Sequence, residues 1–445
     1  MPKAKKDKVH LLTMGCSKNT VDSEVVMAQL RANNWELTEN PEDAGIGIIN
    51  TCGFIEAAKN ESIQTILQAV EMKKQGKLNK VIVMGCLSER YANELRKEIP
   101  EVDAYIGANK MDEVVRTVGG EYKDELLGER LLTTPRHYAY LKISEGCDNP
   151  CAFCAIPIMR GGHVSKPMER VLLEGKRLAA LGVKELIIIA QDSTYYGLDM
   201  YGRRALPELL ERLAEIDGIE WIRLMYAFPA KFPMELIDTF KRTPKVCRYL
   251  DMPIQHISDS VLKSMRRGIS SRALRELIGT IRAEVPGIAL RTTLITGYPA
   301  ETEEDFAELL EFVKETKFDR LGIFTYSQED DTFAYPLGDP IPEEVKENRR
   351  NLIMEAQREI SLARNESIVG KTMRILVDQK EGATAFARTE HDAPEVDNEV
   401  TIDDGGMLIE GRFYDVEIVD SAEYDLFAVP AMKPEGTPQP TAVHA

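Results

Sequence analysis

The sequence predicts an α/β protein with three parts: an open parallel sheet, a partial or full β/α barrel, and a small β-barrel at the C-terminal end. Three observations support this fold class. The first 120 residues alternate strand-like and helix-like patterns, and six further strand–helix units begin at Tyr138. After residue 371 the pattern changes to short β-type runs separated by turns. With 445 residues the chain can form two or three domains.

The first predicted domain, residues 9–118, is the open α/β sheet. The predicted strands are Val9 to Met14, Gly45 to Ile49 and Lys80 to Met84, and the helices are Val21 to Arg31, Ile55 to Lys74 and Ser88 to Arg96. No glycine fingerprint follows the first strand, so the domain is not an obvious dinucleotide-binding one. Residues 1–8 precede it as a short basic arm, and the polar residues 119–137 follow it as a linker.

The second predicted domain, residues 138–366, is the β/α barrel. Its strands are Tyr138 to Ile143, Glu185 to Ala190, Trp221 to Tyr226, Arg248 to Met252, Ala289 to Ile295 and Arg320 to Phe324. Helices between them include Met168 to Ala180, Ser258 to Met265 and Thr302 to Lys314. Pro336 to Pro342 interrupts the pattern, and a long amphipathic helix over Glu343 to Glu366 follows.

The third predicted domain, residues 371–429, is the small β-barrel. Its strands are Thr372 to Asp378, Ala383 to Arg388, Glu399 to Ile402, Phe413 to Val419 and Leu426 to Val429. The proline-rich residues 430–445 have too few apolar side chains to form a core, so we expect a disordered tail there.

Charge and composition restrict the function classes. The net charge of −17 disfavours a broad nucleic-acid surface, which needs clustered Lys and Arg, and suits a basic partner better. The chain shows no apolar run of the roughly 20 residues that span a bilayer and no signal-peptide core, which predicts no membrane contact and a cytoplasmic location. In a reducing compartment, seven cysteines indicate metal ligation or redox chemistry rather than disulfides.

Three cysteines lie close together directly after the first strand of the predicted barrel. Cys147, Cys151 and Cys154 form a C-x3-C-x2-C pattern, which chance would produce only about 0.002 times in such a chain. Three thiolates can bind three irons of a [4Fe–4S] cluster and leave the fourth iron open for a small molecule. The alternative is a zinc site completed by a distant residue such as His163.

Three further cysteines each end a strand of the first domain. Cys16, Cys52 and Cys86 stand in the similar runs MGCS, NTCG and MGCL, about one strand–helix unit apart. Because parallel strands present their carboxyl ends at one edge of a sheet, we expect the three thiols to converge and to hold a second cluster. Taken singly, each would more often be a buried core residue. Cys247 has no such setting and is expected to be structural.

The triplet in GCDNPCAFC, with Phe153 before its third cysteine, resembles the signature of the radical S-adenosylmethionine superfamily. Two triads in this order resemble the methylthiotransferase family over nearly the whole chain, including a C-terminal TRAM domain, an OB-like β-barrel. The resemblance implies a transferase with two [4Fe–4S] clusters. Cys16, Cys52 and Cys86 would hold the cluster that carries or supplies sulfur. Cys147, Cys151 and Cys154 would hold the one that exchanges S-adenosylmethionine and forms the adenosyl radical, with electrons from a donor.

Within that family, the run GCSKN from Gly15 resembles the class that modifies an aspartate β-carbon on protein twelve of the small ribosomal subunit. The transfer-RNA class usually carries GCQMN there. His137 to Cys154 resembles the ribosomal-protein class too, whereas SQEDDTFAY from Ser327 departs from the family's REGT-like run. Residues 371–429 hold five Lys and Arg against fifteen Asp and Glu, a net charge of −10, which suits a basic ribosomal protein better than RNA.

Two other functions remain open from the sequence. One is methylthiolation of an adenosine in transfer RNA by the same machinery, and the other is a non-catalytic zinc-binding adaptor.

Contacts to S-adenosylmethionine are assigned to three residues. Phe153 belongs to the cysteine motif, and Gln191 and Gln255 follow strands at the end where barrel active sites lie. Each of the two glutamines could equally cap a loop. Thr296 to Phe306 is interpreted as scaffold, and no catalytic residue beyond the cluster ligands is predicted.

Overall fold

The computed structural model describes residues 8–126 and 128–431. Residues 1–7 of the predicted basic arm and residues 432–445 of the predicted tail lie outside the described residues. The chain divides into two compact units, with the division after Met354. In the part of the chain that is described, no helix combines the length and the apolar composition needed to cross a lipid bilayer.

The N-terminal part of the first unit is the predicted open α/β sheet. Its elements in chain order are β1 (Lys8–Thr13), α1 (Ser17–Ala32), β2 (Glu36–Leu37), β3 (Ile46–Thr51), α2 (Glu56–Lys74), β4 (Lys80–Gly85), α3 (Cys86–Glu98), β5 (Ala104–Ile106) and α4 (Met111–Thr117). The strands are parallel in the order β2-β1-β3-β4-β5. Every residue of the central strand β3 is buried, as expected where helices cover both faces.

The order of the strands places the first three cysteines together. β1, β3 and β4 are the strands that precede Cys16, Cys52 and Cys86, and they are direct neighbours in the sheet. Asn50 pairs with both Thr13 and Met84, and Thr51 with Gly85, so the three strands end at nearly the same level. The register therefore brings the three cysteine backbones to one edge.

The second part of the first unit is an open six-stranded sheet surrounded by helices. Its elements are β6 (Tyr138–Lys142), β7 (Ser144–Glu145), α5 (Ile156–Arg160), β8 (Val164–Ser165), α6 (Met168–Ala180), β9 (Glu185–Ile189), α7 (Leu198–Tyr201), α8 (Leu206–Ala214), β10 (Trp221–Leu224), α9 (Glu235–Arg242), β11 (Val246–Asp251), α10 (Asp259–Ser264), α11 (Ser271–Glu284), β12 (Ala289–Thr296), α12 (Glu303–Thr316) and β13 (Arg320–Thr325).

The six main strands are parallel in the order β6-β9-β10-β11-β12-β13. The sheet is open, so of the two predicted forms the partial barrel is the one observed. The short strands β7 and β8 form a separate antiparallel pair at the base of the cysteine loop.

The second unit contains the predicted small β-barrel. After α13 (Glu343–Glu366), the strands β14 (Thr372–Glu381), β15 (Thr384–Thr389), β16 (Glu399–Ile402), β17 (Phe413–Ser421) and β18 (Asp425–Pro430) close in the order β14-β15-β16-β18-β17. In β17, Val416 and Ile418 point into the core while Asp415 and Glu417 are exposed. This period of two is what a strand with one buried face requires, and the predicted fold class is confirmed in all three parts.

The residues between the first two sheets are ordered against α1. Leu131 donates its backbone N–H to the Glu24 carbonyl, and the Gln29 side chain bonds the Lys123 backbone. Arg130 is buried and forms ion pairs with Glu24 at 3.6 Å and with Glu174 of α6 at 3.4 Å. Because Glu174 belongs to the barrel, this segment joins the two sheets instead of only separating them.

Gly85, between β4 and Cys86, can be tested against a matched glycine. Gly85 has a φ of +102°, and an added Cβ would lie 2.5 Å from Asn50 Oδ1; Gly182 has a φ of +99° with nothing within 4 Å. We expect Gly182→Ala to lower the free energy of unfolding by about 1–2 kcal/mol through backbone strain alone. Gly85→Ala should lose on the order of 2 kcal/mol more, because the strand end must shift.

Urea unfolding of the iron-free protein measures both substitutions through the fluorescence of Trp35, directly before β2, and of Trp221, in β10. Equal losses for the two variants would contradict the close packing inferred at Gly85.

Candidate active site

The first cysteine triad lies in the three turns that follow β1, β3 and β4. Cys16 is the N-cap residue of α1, Cys52 follows β3 directly, and Cys86 begins α3. A Cβ on Gly15 would lie 2.7 Å from the Cys52 Cβ, and one on Gly53 would lie 3.1 Å from the Cys86 backbone carbon. Each turn therefore touches the next, and the convergence of the three thiols stays a prediction.

Asn19, in the GCSKN run, ties these turns together. Its side chain is fully buried, and Nδ2 donates to the Met14 carbonyl at 2.8 Å and to the Thr51 carbonyl at 3.1 Å. The Thr51 hydroxyl in turn donates to the Met84 carbonyl at 2.6 Å. The carboxyl ends of all three strands are thus linked by side-chain hydrogen bonds, which fixes the backbone on which the cysteines stand.

The thiols of the first triad are in a setting that favours their neutral form when no cation is bound. Burial raises the pKa of Cys86 to about 11, although the Arg160 guanidinium opposes the shift. Burial also raises the pKa of Cys52, with the nearby Cys16 adding to the effect. Bound metal ions supply the positive charge that makes coordinating thiols lose their protons. Three thiols from three turns fit an iron–sulfur cluster by donor type.

The second triad lies in the loop between β7 and α5. Cys147 donates its backbone N–H to the Gly161 carbonyl at 3.1 Å, and Cys154 donates to the Cys151 carbonyl at 3.2 Å. Gly146 begins the loop with a φ of +70°, and a Cβ there would lie 2.0 Å from the Gly162 carbonyl oxygen. Only glycine fits this close approach.

Residues from the far side of the sheet hold the same loop. The Ala152 N–H donates to the Met265 carbonyl at 2.9 Å, and its carbonyl accepts from the Ala334 N–H at 2.7 Å. Arg267 is buried and places Nη1 3.1 Å from the Cys151 sulfur. Burial raises the pKa of Cys147 to about 11 and that of Cys154 to about 12.

The second donor set also fits a cluster: three thiols and a nearby guanidinium suit a group that carries negative charge. Over residues 8–126 and 128–431, no three His, Cys, Asp or Glu side chains are already grouped for metal binding. The fit of both triads therefore rests on donor type and on backbone placement.

A buried network of four charged side chains links the first triad to the elements on both sides of the second triad's loop. Arg160, the last residue of α5, lies 3.4 Å through Nε from the Cys86 sulfur and donates to Asp22 at 2.7 Å. Lys142 at the end of β6 bonds Asp22 and donates to Glu145 at 2.6 Å. Arg160 also contacts Glu145 at 3.2 Å and Asn19 at 2.6 Å. The two cations balance the two carboxylates, so the network is neutral as a whole.

The three residues predicted to contact S-adenosylmethionine occupy the carboxyl edge of the barrel sheet. Gln191 follows β9, and its Nε2 donates to Glu145 at 2.9 Å. Gln255 follows β11 in a left-handed conformation with a φ of +73°, and within the described residues its buried Oε1 has no hydrogen-bond partner. Phe153 is partly buried and packs against the core cluster that contains Tyr298 and Tyr326. Their role toward the cofactor stays a prediction.

His163 and Cys247, the other residues singled out, lie in different settings. His163 Nε2 contacts the Ser165 hydroxyl at 3.1 Å, and burial lowers its pKa. Cys247 is fully buried within β11.

Arg160, Asp22, Lys142, Glu145 and Arg267 were missed by the sequence reasoning. They carry no motif spacing, because their partners lie far away in the chain: 138 residues separate Arg160 from Asp22, and 116 separate Arg267 from Cys151. The sequence shows that Lys142 and Arg160 lie close to the cysteine motif, one on each side. It does not show which carboxylates they pair with.

Family profiles match each part of the chain. The profile described as uncharacterized protein family UPF0004 covers residues 8–107, that of the Radical SAM superfamily covers 141–313, and that of the TRAM domain covers 369–430. Together with the cysteine loop at the edge of a partial barrel, these matches assign the protein to the class of radical S-adenosylmethionine enzymes.

Similar proteins identify the family within that class. The chain is 54% identical over 431 residues to the ribosomal protein uS12 methylthiotransferase RimO of Flavobacterium johnsoniae, covering 96% of this chain and 99% of that protein. It is 54% identical over 427 residues to the protein of the same name from Chloroherpeton thalassium, covering 95% and 98%. The chain belongs to the ribosomal protein uS12 methylthiotransferase family.

Solved structures agree at the level of fold. The radical S-adenosylmethionine methyltransferase TsrM from Kitasatospora setae aligns with a TM-score of 0.55 at 14% identity, covering 74% of this chain and 77% of that one. At this identity the likeness concerns the fold alone.

The buried network predicts a large effect for Arg160→Met. Removing this cation leaves Asp22 and Glu145 with Lys142 alone, and breaking a buried ion pair typically costs about 3–5 kcal/mol. We expect that loss in urea unfolding of the iron-free protein, so that cluster loss does not contribute. The matched control is Arg350→Met, which breaks the exposed pair with Glu347 and should cost at most about 1 kcal/mol.

A second substitution tests the cause. Adding Asp22→Asn to Arg160→Met restores neutrality and should recover part of the loss. No recovery would mean that packing, not charge balance, holds Arg160 in place.

Proposed function

We propose that the protein is a methylthiotransferase that inserts a methylthio group at the β-carbon of an aspartate in ribosomal protein uS12. The observation that carries the proposal is the placement of two cysteine triads, each at the carboxyl edge of a parallel sheet, with a buried charge network between Cys86 and the elements that flank the second triad's loop. The relatives named above carry the name uS12 methylthiotransferase, and this chain aligns with almost their whole length. The proposed domains are residues 9–118, 138–366 and 371–429, with a connecting segment at 119–137.

In this proposal the barrel holds the radical chemistry. Cys147, Cys151 and Cys154 would bind a [4Fe–4S] cluster, which when bound supplies the electron that cleaves S-adenosylmethionine. Arg267 beside Cys151 would offset the negative charge of the thiolates. Phe153, Gln191 and Gln255 would position S-adenosylmethionine at the same edge, where the amide of Gln191 is already oriented by Glu145.

The N-terminal sheet would hold the second [4Fe–4S] cluster through Cys16, Cys52 and Cys86, the one that carries or supplies sulfur. Asn19 fixes the turns around it, and Arg160 offers a positive charge to Cys86. Because α5 begins two residues after Cys154 and ends at Arg160, the two sites are held at a defined separation by a single short helix. The proposal also includes an external electron donor that reduces the cluster and a cytoplasmic location for the protein.

The acidic second unit suits a basic protein substrate. Within its β-barrel, residues 371–429, ten carboxylate residues are exposed, namely Glu381, Glu395, Glu399, Asp403, Asp404, Glu410, Asp415, Glu417, Asp420 and Asp425. Glu399 and Asp425 are paired directly across β16 and β18. Like charges at such a position destabilise a sheet unless a cationic partner compensates them. RNA would be repelled by this surface.

A methylthiolation assay tests the proposed function. The reconstituted holoenzyme, a reductant and S-adenosylmethionine are incubated separately with uS12 and with transfer RNA. The mass of each product is then measured by mass spectrometry. We expect a methylthio mass gain on uS12 at one aspartate. A gain on RNA alone would establish the transfer-RNA alternative instead.

Iron and sulfide analysis tests the two-cluster assignment. Replacing Cys16, Cys52 and Cys86 by Ala should remove about half of the iron and sulfide and stop methylthiolation, while 5′-deoxyadenosine still forms from S-adenosylmethionine. Replacing Cys147, Cys151 and Cys154 should also remove half of the iron, and 5′-deoxyadenosine formation should stop. Zinc without sulfide in the native protein would favour the zinc-binding adaptor.

Glu399→Gln tests the acidic surface. Partial desolvation of the carboxyl, and after it the neighbouring Asp425, Asp378 and Glu381, raise the pKa of Glu399 although the residue as a whole is exposed. The ionised form is therefore disfavoured in the folded state, so removing the charge should raise the unfolding midpoint at pH 7. The gain should shrink as the pH falls and disappear well below the ordinary pKa of 4.5, where the carboxyl is protonated in both states. If the surface binds uS12, the same variant should bind it more weakly, and an unchanged affinity would exclude Glu399 from the interface.

A further inference from the structure

Lys18 is a buried cation at the junction of the two sheets. It lies in the first turn of α1, two residues after Cys16, and its relative exposure is only 7%. Its Nζ stands 3.0 Å from the centroid of the Tyr226 ring. Tyr226 follows β10 at the carboxyl edge of the barrel sheet, so Lys18 reaches from the first cysteine triad to the mouth of the barrel.

Lys18 has an aromatic partner and no carboxylate. Within the described ranges 8–126 and 128–431, no Asp or Glu oxygen lies within 4.0 Å of its Nζ. The carboxylate one turn further along α1, Asp22, is already bonded by Lys142 and Arg160. An aromatic face compensates only part of the hydration that a buried ammonium group loses. The site therefore favours an additional anion.

Tyr226 is held firmly in its position. Its backbone has a φ of +61°, which is uncommon for a residue other than glycine. Its N–H donates to Asp251 Oδ2 at 3.0 Å, and its carbonyl accepts from the Ser193 N–H at 3.0 Å. Asp251 is fixed in turn by Arg291 at 2.9 Å. Such a strained conformation persists where the surroundings enforce it, often at functional sites.

The charges around Lys18 also favour an anion. The network of Arg160, Lys142, Asp22 and Glu145 is neutral, so it supplies no net negative charge to compensate Lys18. The helix dipole adds a partial positive charge at the N-terminus of α1. Neither an acidic residue in the first turn nor a side-chain cap from Cys16 offsets that charge. The ring beneath Lys18 is only half-buried, which leaves the pair a side open to a ligand.

From this geometry we infer that Lys18 binds the side-chain carboxylate of the substrate aspartate and so positions its β-carbon between the two cysteine triads. This inference rests on the proposed function.

A double-mutant cycle in binding tests the inference. The dissociation constant of the anaerobic holoenzyme is measured for uS12 and for uS12 with its modified aspartate replaced by asparagine. The enzyme variants are Lys18→Met, Lys18→Arg and, as a matched control, Lys110→Met, which removes the same charge from an exposed position after β5. Iron content and the electron paramagnetic resonance of the clusters are recorded for each variant.

We expect the native enzyme to bind the aspartate form about 30-fold more tightly than the asparagine form. Lys18→Met should weaken binding of the aspartate form by a similar factor and leave the asparagine form unchanged, with both clusters intact. Lys18→Arg should retain part of the discrimination, and Lys110→Met all of it.

Equal losses for both forms of uS12 would overturn the inference, and so would an altered cluster signal in Lys18→Met with discrimination retained, since Lys18 would then serve the first cluster. The assay of the native enzyme keeps the two hypotheses apart. If uS12 gains no methylthio group, the proposed function itself fails. If uS12 gains the group but the double-mutant cycle shows no coupling between Lys18 and the aspartate, only the role of Lys18 is rejected.

Discussion

The charge balance among Arg160, Asp22, Lys142 and Glu145 is the constraint on which both cysteine sites depend. Each residue comes from a different element: the end of α5, the middle of α1, the end of β6 and the short strand β7. Because all four side chains are largely withdrawn from water, none can be displaced without leaving an uncompensated charge. The relative placement of the two sheets in the first unit is thereby coupled to the electrostatics around Cys86.

Most of the fold follows from patterns that are local in the chain. The helix Met168–Ala180 has the predicted bounds, and Glu343–Glu366 is the predicted long helix, since apolar spacing and a preceding proline define both. Short elements such as β5 and α7 were not predicted, because three or four residues carry too little periodicity. The choice between a partial and a full barrel also could not be read from the sequence, since it depends on which strands pair at the edges.

The candidate site divides in the same way. Cysteine spacing and strand-end placement predicted both triads, since a motif and a repeated strand–helix unit are visible in one dimension. The side chains that connect them were invisible, because Lys18 and Tyr226 are 208 residues apart and neither belongs to a motif that names the other. Pairings of this kind are fixed by the packing of one sheet against the other, which no local pattern encodes.

The short helix α5 has a consequence for how such enzymes can be divided. Its first residue follows the barrel's cysteine loop, and its last residue contacts a cysteine of the other sheet. A barrel separated from the N-terminal sheet would expose the Arg160 guanidinium and lose the contacts that order the end of its own loop. The two domains are therefore not interchangeable modules: a barrel taken from one relative would need the matching Asp22 and Asn19 in its new N-terminal partner.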